Sequence, residues 1–518
     1  MPPVWTVSLL LSTAGDYLAT RGTESARLDA ELLLSHALGV ERIDLYLQHD
    51  RPLTGDEVDR FREYVRRRAR HEPVAYILGK AHFRYLTLRV SPAVLIPRPE
   101  TEELVDRVLE WLAVHPPELW ERSVVETPRF CDVGTGSGAI ALSLATERQV
   151  RVLALDSSEA ALEMASANVG AVGVTDLVSL SCGDLLTGVS AGSLMGVVSN
   201  PPYVSDEEWS GLPSDVRDFE PQEALRGGVD GLAVYRRLMP EAARVLRPGG
   251  GVFVEVGFTQ SGYVADLARE VGLCRVRVHR DLSGKERMVS AAAPGAPRVS
   301  ISDLTGSGED HRPGLLEALR RTLSAGGILG VPTDTVYGLA AAWDCARGMQ
   351  ALREAKGRDE GKPFQVLFPS VDVVTESLPD LSSAAAHILE VLLPGPYTFV
   401  VATKVPQPTS LGSEGSLGIR VPDHPELLAL LAALDVPLAA TSANVSGESE
   451  ARDPEEVPGE VAAACAALLE AQAAAPPRGS ASTVVDLRPV DAGGTALVLR
   501  EGAVAGDEVL ERIRFLLS

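Results

Sequence analysis

The sequence predicts an α/β protein in three parts, a helical bundle followed by two open-sheet units. Three observations predict it: a helix-period apolar pattern confined to residues 1–85, two long stretches in which short β-rich runs alternate with helical ones, and one Ala/Pro/Gly/Ser-rich break between those stretches. A length of 518 residues leaves room for about three domains at roughly 150 residues each, every one large enough to bury a core. Apolar residues make up 45% and charged residues 23% of the chain, close to ordinary globular composition. No run of eighteen apolar residues offers a membrane span.

Residues 1–85 read as helices. In "RLDAELLLSHALGV" the apolar residues Leu28, Ala30, Leu32, Leu33, Leu34, Ala37 and Leu38 recur at three-to-four spacing, and Gly39 supplies a stop signal. The next helix, "TGDEVDRFREYVRRRARHE", carries Arg60, Arg62, Arg66, Arg67, Arg68 and Arg70, which suit a solvated face or a surface that docks a partner. Residues 86–293 form the first sheet unit, with "RFCDVG", "VRVLALD", "LVSLSCGD", "LMGVVSN" and "GVFVEVG" as strands. The stretch 294–312 has linker composition. Residues 313–518 form the second sheet unit, with "GGILGVP", "TFVVAT", "SLGIRVP", "VPLAATS" and "STVVDL" as strands. The Ala-rich "EVAAACAALLEAQAAAPP" reads as a helix by propensity.

Charge and cysteine usage narrow the function. A net charge of −23 argues against a nucleic-acid coat, because phosphate contacts need surplus Lys and Arg. Cys131, Cys182, Cys274, Cys345 and Cys465 are scattered without CxxC spacing, as expected of reduced thiols and not of disulfides or a zinc site. The N-terminus lacks a basic region ahead of its apolar residues, so a signal peptide is not expected and the location expected is cytoplasmic.

"FCDVGTGSGAIALSLA" places a strand, a glycine-rich turn and a helix in succession. Gly134, Gly136 and Gly138 let backbone approach a ligand at the helix start, and Asp156 closes the next strand, where a carboxylate accepts ribose hydroxyls. These residues alone also admit a NAD-dependent oxidoreductase. The stretch "VVSNPPYV" separates the readings. Ligands bind beyond the carboxyl ends of such strands, so Asn200 faces the crevice of the glycine loop. If the Asn200 side-chain oxygen and the Pro201 carbonyl each accept one hydrogen of a substrate amide, its nitrogen is held toward an electrophile. Pro201 and Pro202 make the acceptors rigid, and Tyr203 packs on a planar group.

Six motifs in order over residues 1–291 resemble the release-factor glutamine methyltransferases of the PrmC/HemK type: "EPVAYILGKAHFRYLTLRVSPAVLIPRPETEELV", the glycine loop, "SNPPYV", "DFEPQEALRGGVDGL", "LRPGGGVFVEVG" and "RDLSGKERMV". The resemblance implies a Rossmann-like class I methyltransferase domain with S-adenosylmethionine as donor. The acceptor it implies is the glutamine side chain in the Gly-Gly-Gln loop of peptide-chain release factors. It places the donor on Gly134, Thr135, Gly136, Ser137, Gly138 and Asp156, with Asp184 and Leu185 near the adenine. Asn200, Pro201, Pro202 and Tyr203 would hold the acceptor glutamine, Asn200 and Pro201 as the catalytic pair. It also implies that the helical first domain helps to grip the release factor.

In the second sheet unit Lys356, Arg358 and Lys362 place three cations in a short polar turn, as a polyphosphate cleft needs. Arg420, Ser442 and Asn444 close two strands. "PTDTVYGL", "KGRDEGKPF", "LLPGPYTFVV", "GIRVPDHP", "TSANVSG" and "STVVDL" resemble the YrdC-type threonylcarbamoyl-adenylate synthases, which implies a YrdC-like twisted open-sheet α/β domain. The implied reaction joins L-threonine, bicarbonate and ATP, with Mg²⁺ as the expected companion of ATP and no protein metal site. Lys356 and Arg358 would be catalytic. Arg358, Lys362, Ser442, Asn444 and Arg500 would contact ATP, and Thr335, Arg420 and Ser482 would hold threonine. Separate tRNA-modifying proteins would take the product onward. The longer relatives carry a further C-terminal domain that is not expected here. A non-catalytic RNA-binding module is the alternative for this unit.

Overall fold

The computed structural model describes all residues except 1–3, 121–128, 307–311, 313, 358–362, 407–410, 412–414, 446–447, 473–476 and 492. The first part is a bundle of helices Val7–Thr20, Ala26–Leu38, Arg42–Leu47, Gly55–Arg68 and Val74–Leu78. Leu10, Leu18, Leu33, Leu34, Phe61 and Val65 fill its core, whereas Leu28 faces out at 42% exposure. Gly39 ends the second helix in the left-handed region, φ +66°. Thr54 starts the arginine-rich helix with a capping box to Glu57.

That helix is not a bare cationic face. Arg62, Arg66 and Arg67 pair with Asp59, Glu63 and Glu72, and Arg68 is buried against Asp29 at 2.7 Å, with Asp215 of the next unit 3.7 Å away. The boundary expected after residue 85 falls at the tip of an antiparallel hairpin, β1 (Lys80–Phe83) and β2 (Leu86–Arg89). Gly79, left-handed at φ +68°, ends the helix that precedes this hairpin.

The first sheet unit contains β3 (Arg129–Val133), β4 (Arg151–Asp156), β5 (Val178–Cys182), β6 (Leu194–Ser199), β7 (Leu246–Glu255), β8 (Cys274–Arg280) and β9 (Glu286–Ala292), in the order β5-β4-β3-β6-β7-β9-β8. Strands β5 to β7 run parallel and β9 is antiparallel to both its neighbours. The near-continuous burial of β3 and β6 is what a sheet covered by helices on both faces demands.

The second sheet unit contains β10 (Arg298–Ser300), β11 (Leu329–Val331), β12 (Gly338–Ala342), β13 (Gln365–Leu367), β14 (Tyr397–Ala402), β15 (Ser416–Arg420), β16 (Leu438–Ser442), β17 (Ala467–Glu470), β18 (Thr483–Asp486) and β19 (Leu497–Arg500). Their order is β10-β17-β11-β12-β16-β13-β15-β14-β18-β19, a mixed sheet. Two expectations are corrected here. Among its described residues the Ala-rich stretch forms a short helix, Gly459–Ala462, and then β17, parallel to β10 and β11. The three apolar residues Ala467, Leu468 and Leu469 fit a buried strand as well as a helix, and pairing on both sides overrides propensity. The expected linker 294–312 holds β10 and the helix Ile301–Thr305, because Val299 and Ile301 are buried in the joint core.

The two sheet units pack directly. Leu315, Leu319 and Leu323 of helix Leu315–Ser324 share one apolar cluster with Leu104, Val108 and Leu112 of helix Pro99–Val114. Each buried leucine contributes about 1.5–3 kcal/mol. That outweighs the roughly 0–1 kcal/mol of an exposed pair such as Arg321–Glu118, so apolar burial holds the joint.

Candidate functional site

Val133 of β3 lies opposite Ser199 of β6, so the glycine loop and Asn200 leave adjacent strands at the same end of the sheet. The chain steps from β3 outward to β4 and β5 on one side and starts β6 on the other, which opens a crevice between them. A cavity of about 540 Å³ occupies it, lined by Gly134, Thr135, Gly136, Ser137, Asp156, Asp184, Leu185, Asn200 and Pro202.

Gly136 is left-handed, φ +53°, and a Cβ there would stand in open space inside the crevice, which leaves the cradle clear for a ligand. The Asp156 carboxylate accepts from Gly136 N–H and Ser158 N–H, each at 2.9 Å, and so fixes the loop as well as facing the cavity. Leu185 is left-handed at φ +52° and lines the wall, while exposed Asp184 pairs with Arg237 at 2.5 Å. Gly138, Pro201 and Tyr203 are not wall residues. Gly138 packs under Leu142 at the helix start, and Tyr203 lies behind Asn200.

Sequence reasoning missed what holds Asn200. Its Nδ2 donates to Thr101 Oγ1 at 3.0 Å, and Thr101 Oγ1 donates to Glu255 Oε2 at 2.7 Å. Tyr203 OH donates to Glu255 Oε1 at 3.3 Å, and Tyr235 OH to the Glu255 carbonyl at 2.6 Å. A hydroxyl has one hydrogen. With Glu255 ionised, Thr101 gives that hydrogen to the carboxylate and must accept from Asn200, so the Asn200 oxygen is turned toward the cavity.

Burial pushes the Glu255 carboxyl up to about 7, with Thr101 and Tyr203 drawing it back. Burial also pushes Asp132 up to about 7 under the glycine loop, where it accepts from Thr135 and from Ala141 N–H. The loop Asn200–Tyr203 is clamped from outside: Gln260 Nε2 donates to the Tyr203 carbonyl at 2.8 Å, and a Cβ at Gly231 would come within 2.3 Å of that oxygen. The signal available for it is the glycine of "VDGL", Gly231, in a motif that carried no such reading.

The second unit has a cavity of about 420 Å³ lined by Lys356, Arg420, Ser442, Ser482 and Arg500. Arg420, 1% exposed, pairs with Asp334 at 2.6 Å and donates to Thr335 Oγ1 at 2.7 Å. The expected threonine holders Arg420 and Thr335 therefore touch. Ser482 meets Thr398 at 2.7 Å, and Arg500 donates to the Ser482 carbonyl at 2.8 Å. Burial lowers the Arg500 pKa.

Lys356 Nζ donates to Ser442 O at 2.8 Å, Ser442 Oγ at 2.9 Å, Asn444 O at 2.8 Å and Asn444 Oδ1. Its ammonium thus builds the turn that carries Ser442 and Asn444, a task not visible in the charge count. Arg358 and Lys362 lie outside the described residues. Thr398 and Gln365, which join Ser482 in one hydrogen-bonded group, were not foreseen.

Fold and crevice define the class of the first sheet unit, a small methyltransferase domain behind a helical attachment. Family models agree: the PrmC N-terminal domain matches residues 10–79, the methyltransferase small domain 118–211, and the Sua5/YciO/YrdC domain, described as telomere recombination, 321–502. The release factor glutamine methyltransferase of Rhodopirellula baltica is 39% identical over 289 residues, covering 55% of this chain and 96% of that one. That of Moorella thermoacetica is 42% identical over 284 residues, covering 54% and 96%. P. abyssi Sua5 complexed with L-threonine aligns at 24% identity and TM-score 0.36, over 42% of this chain and 59% of that chain, less than two thirds of its length. Over its first half the chain belongs to the release factor glutamine methyltransferase family, and a Sua5/YciO/YrdC domain follows in the second. No helix among the described residues is long and apolar enough to cross a membrane.

Proposed function

We propose that the chain is bifunctional. Its first half methylates the side-chain amide of the glutamine in the Gly-Gly-Gln loop of peptide-chain release factors, and its second half makes threonylcarbamoyl-AMP from L-threonine, bicarbonate and ATP for tRNA modification by other proteins. The observation that carries the first activity is the joining of Asn200 to the glycine loop across β3 and β6 in one crevice, in a chain that spans 96% of a release factor glutamine methyltransferase.

S-adenosylmethionine, which suits the open cradle of Gly134–Ser137 and the Asp156 carboxylate, supplies a methyl group on a sulfonium. The Asn200 oxygen and the Pro201 carbonyl accept the two amide hydrogens and orient the glutamine nitrogen. Glu255, through Thr101, keeps the Asn200 oxygen outward. In the second half, Arg420 and Thr335 hold threonine. Arg500, Ser442 and the turn built by Lys356 receive ATP, which brings Mg²⁺ with its phosphates. A cavity of about 420 Å³ walled by a buried arginine fits small molecules, so a purely RNA-binding role for this unit is not favoured.

The test is direct: the full chain is incubated with each substrate set and products are read by mass spectrometry. Glutamine methylation on a release factor and threonine- and bicarbonate-dependent pyrophosphate release are expected. Absence of either from folded protein removes that half of the reading.

A pH profile probes the network behind Asn200. Glu255 is ionised above about 7, the form that fixes Asn200, so methyl transfer is expected to climb as pH rises through that value. Glu255→Gln should remove that limb and leave a slower, flatter profile. An unchanged profile would detach Glu255 from the reaction.

A further inference from the structure

A cavity of about 330 Å³ lies at the joint of the two sheet units, away from both clefts described above. Its walls are the edge strand β8, the end of helix Pro99–Val114, the turn 325–327 and the helix Ala346–Lys356. Four arginines line it, Arg107, Arg275, Arg277 and Arg347, against two carboxylates, Glu110 and Glu354. Arg107 is paired with Glu110 at 2.8 Å and Arg277 reaches across the joint to Glu354 at 2.5 Å.

The other two cations are left over. Neither Arg275 nor Arg347 has a hydrogen-bond or ion-pair partner among the described residues. Arg275 is partly buried, with burial and then the neighbouring Arg277 charge lowering its pKa. It sits at an irregularity of β8 between Cys274 and Arg277, left-handed at φ +51°, a conformation that side chains other than glycine adopt at a cost and keep where something requires it. His115 and His279, also in the wall, are held down to about 4 by burial and by these arginines, so both are neutral near pH 7. Two guanidiniums of like charge thus line one cavity without a partner among the described residues, Arg275 partly buried and Arg347 exposed, in a chain whose net charge is −23. For the partly buried Arg275, with the Arg277 charge beside it and Glu354 offsetting only part of the cost, an anion entering the cavity is stabilising.

We propose that this cavity binds a small phosphate-bearing anion of at least two negative charges, held by Arg275 from the methyltransferase side and Arg347 from the opposite unit. The planar guanidinium fork suits phosphate oxygens, and trigonal pairs of N–H donors from two units give the ligand a grip on both. Binding would offset the Arg275 and Arg277 charges and tie the two units together at the joint.

The experiment titrates orthophosphate, inorganic pyrophosphate and AMP separately into the full chain by calorimetry, with Arg275→Gln, Arg347→Gln and Lys356→Met compared under the same conditions. At least one probe is expected to bind the unaltered chain and Lys356→Met alike, and to bind each arginine variant at least tenfold more weakly, with affinity falling as salt rises. The probe preferred tells free phosphate from a nucleotide source. Arg347 is exposed, so Arg347→Gln keeps the test valid even where Arg275→Gln fails to fold. Equal affinity in a folded arginine variant, binding lost only in Lys356→Met, or no binding of any probe would each overturn the proposal.

Discussion

Asn200→Ala is expected to bind the donor product S-adenosylhomocysteine as tightly as the unaltered chain and to lose ~10²–10³-fold in methyl transfer to a release factor, the scale seen when one preorganised hydrogen-bonding group is removed from a reacting centre. The two readouts part because Asn200 stands at the end of β6, whereas the donor cradle is built on β3 and β4 by Gly134–Ser137 and Asp156. Asn200→Asp sharpens the test. It keeps size and offers outward oxygen, but a carboxylate has no hydrogen to give Thr101, whose own hydrogen already goes to Glu255. It should therefore be nearly as slow as the alanine variant. Turnover close to normal in Asn200→Ala, measured by mass spectrometry of the Gly-Gly-Gln peptide, would sink the amide-clamp role.

How much of this was legible follows from sequence distance. Gly134–Gly138, Asp156 and Asn200 each sit where a strand ends and a loop begins, and strand-end chemistry is written locally. Thr101 and Glu255 lie 99 and 55 positions from Asn200 on other elements, and neither carries a local signal; only the fold brings them behind the amide. Gly231 stands 28 positions after Tyr203, and only the fold shows that a Cβ there would strike the Tyr203 carbonyl. β17 was hidden by the alanines on either side of it, since propensity speaks for an isolated segment and pairing with β10 and β11 decides the real one. The cationic joint was invisible for the same reason. Arg275 and Arg347 are separated by the four strands β9 to β12 and two helices, and composition alone describes a chain rich in acid.

Lys356→Met is expected to abolish threonine- and bicarbonate-dependent pyrophosphate release while sparing methyl transfer. The side chain is 6% exposed, and its Nζ meets four oxygens of Ser442 and Asn444. Methionine nearly fills the space but donates nothing, so the Ser442 and Asn444 carbonyls lose this donor, while the Ser442 hydroxyl still donates to Asn444 Oδ1. Each acceptor left unmet in a buried place costs about 1–3 kcal/mol. Among the described residues the turn's other ties are Ser442 Oγ–H to Asn444 Oδ1, Asn444 Nδ2 to the Glu448 carbonyl, Ala443 N–H to the Tyr337 carbonyl, and the pairing of β16 with β12. It should loosen where ATP is to sit. Thermal unfolding of the variant should begin earlier than in the unaltered chain, yet at 25 °C the crevice at β3 and β6, built on a separate sheet, keeps its geometry. A direct role for the ammonium in the chemistry and an indirect one through the turn separate on Lys356→Arg: a guanidinium restores donors but not the compact charge, so recovered stability with a persistently low rate assigns Lys356 to the reacting groups, and recovery of both assigns it to the turn.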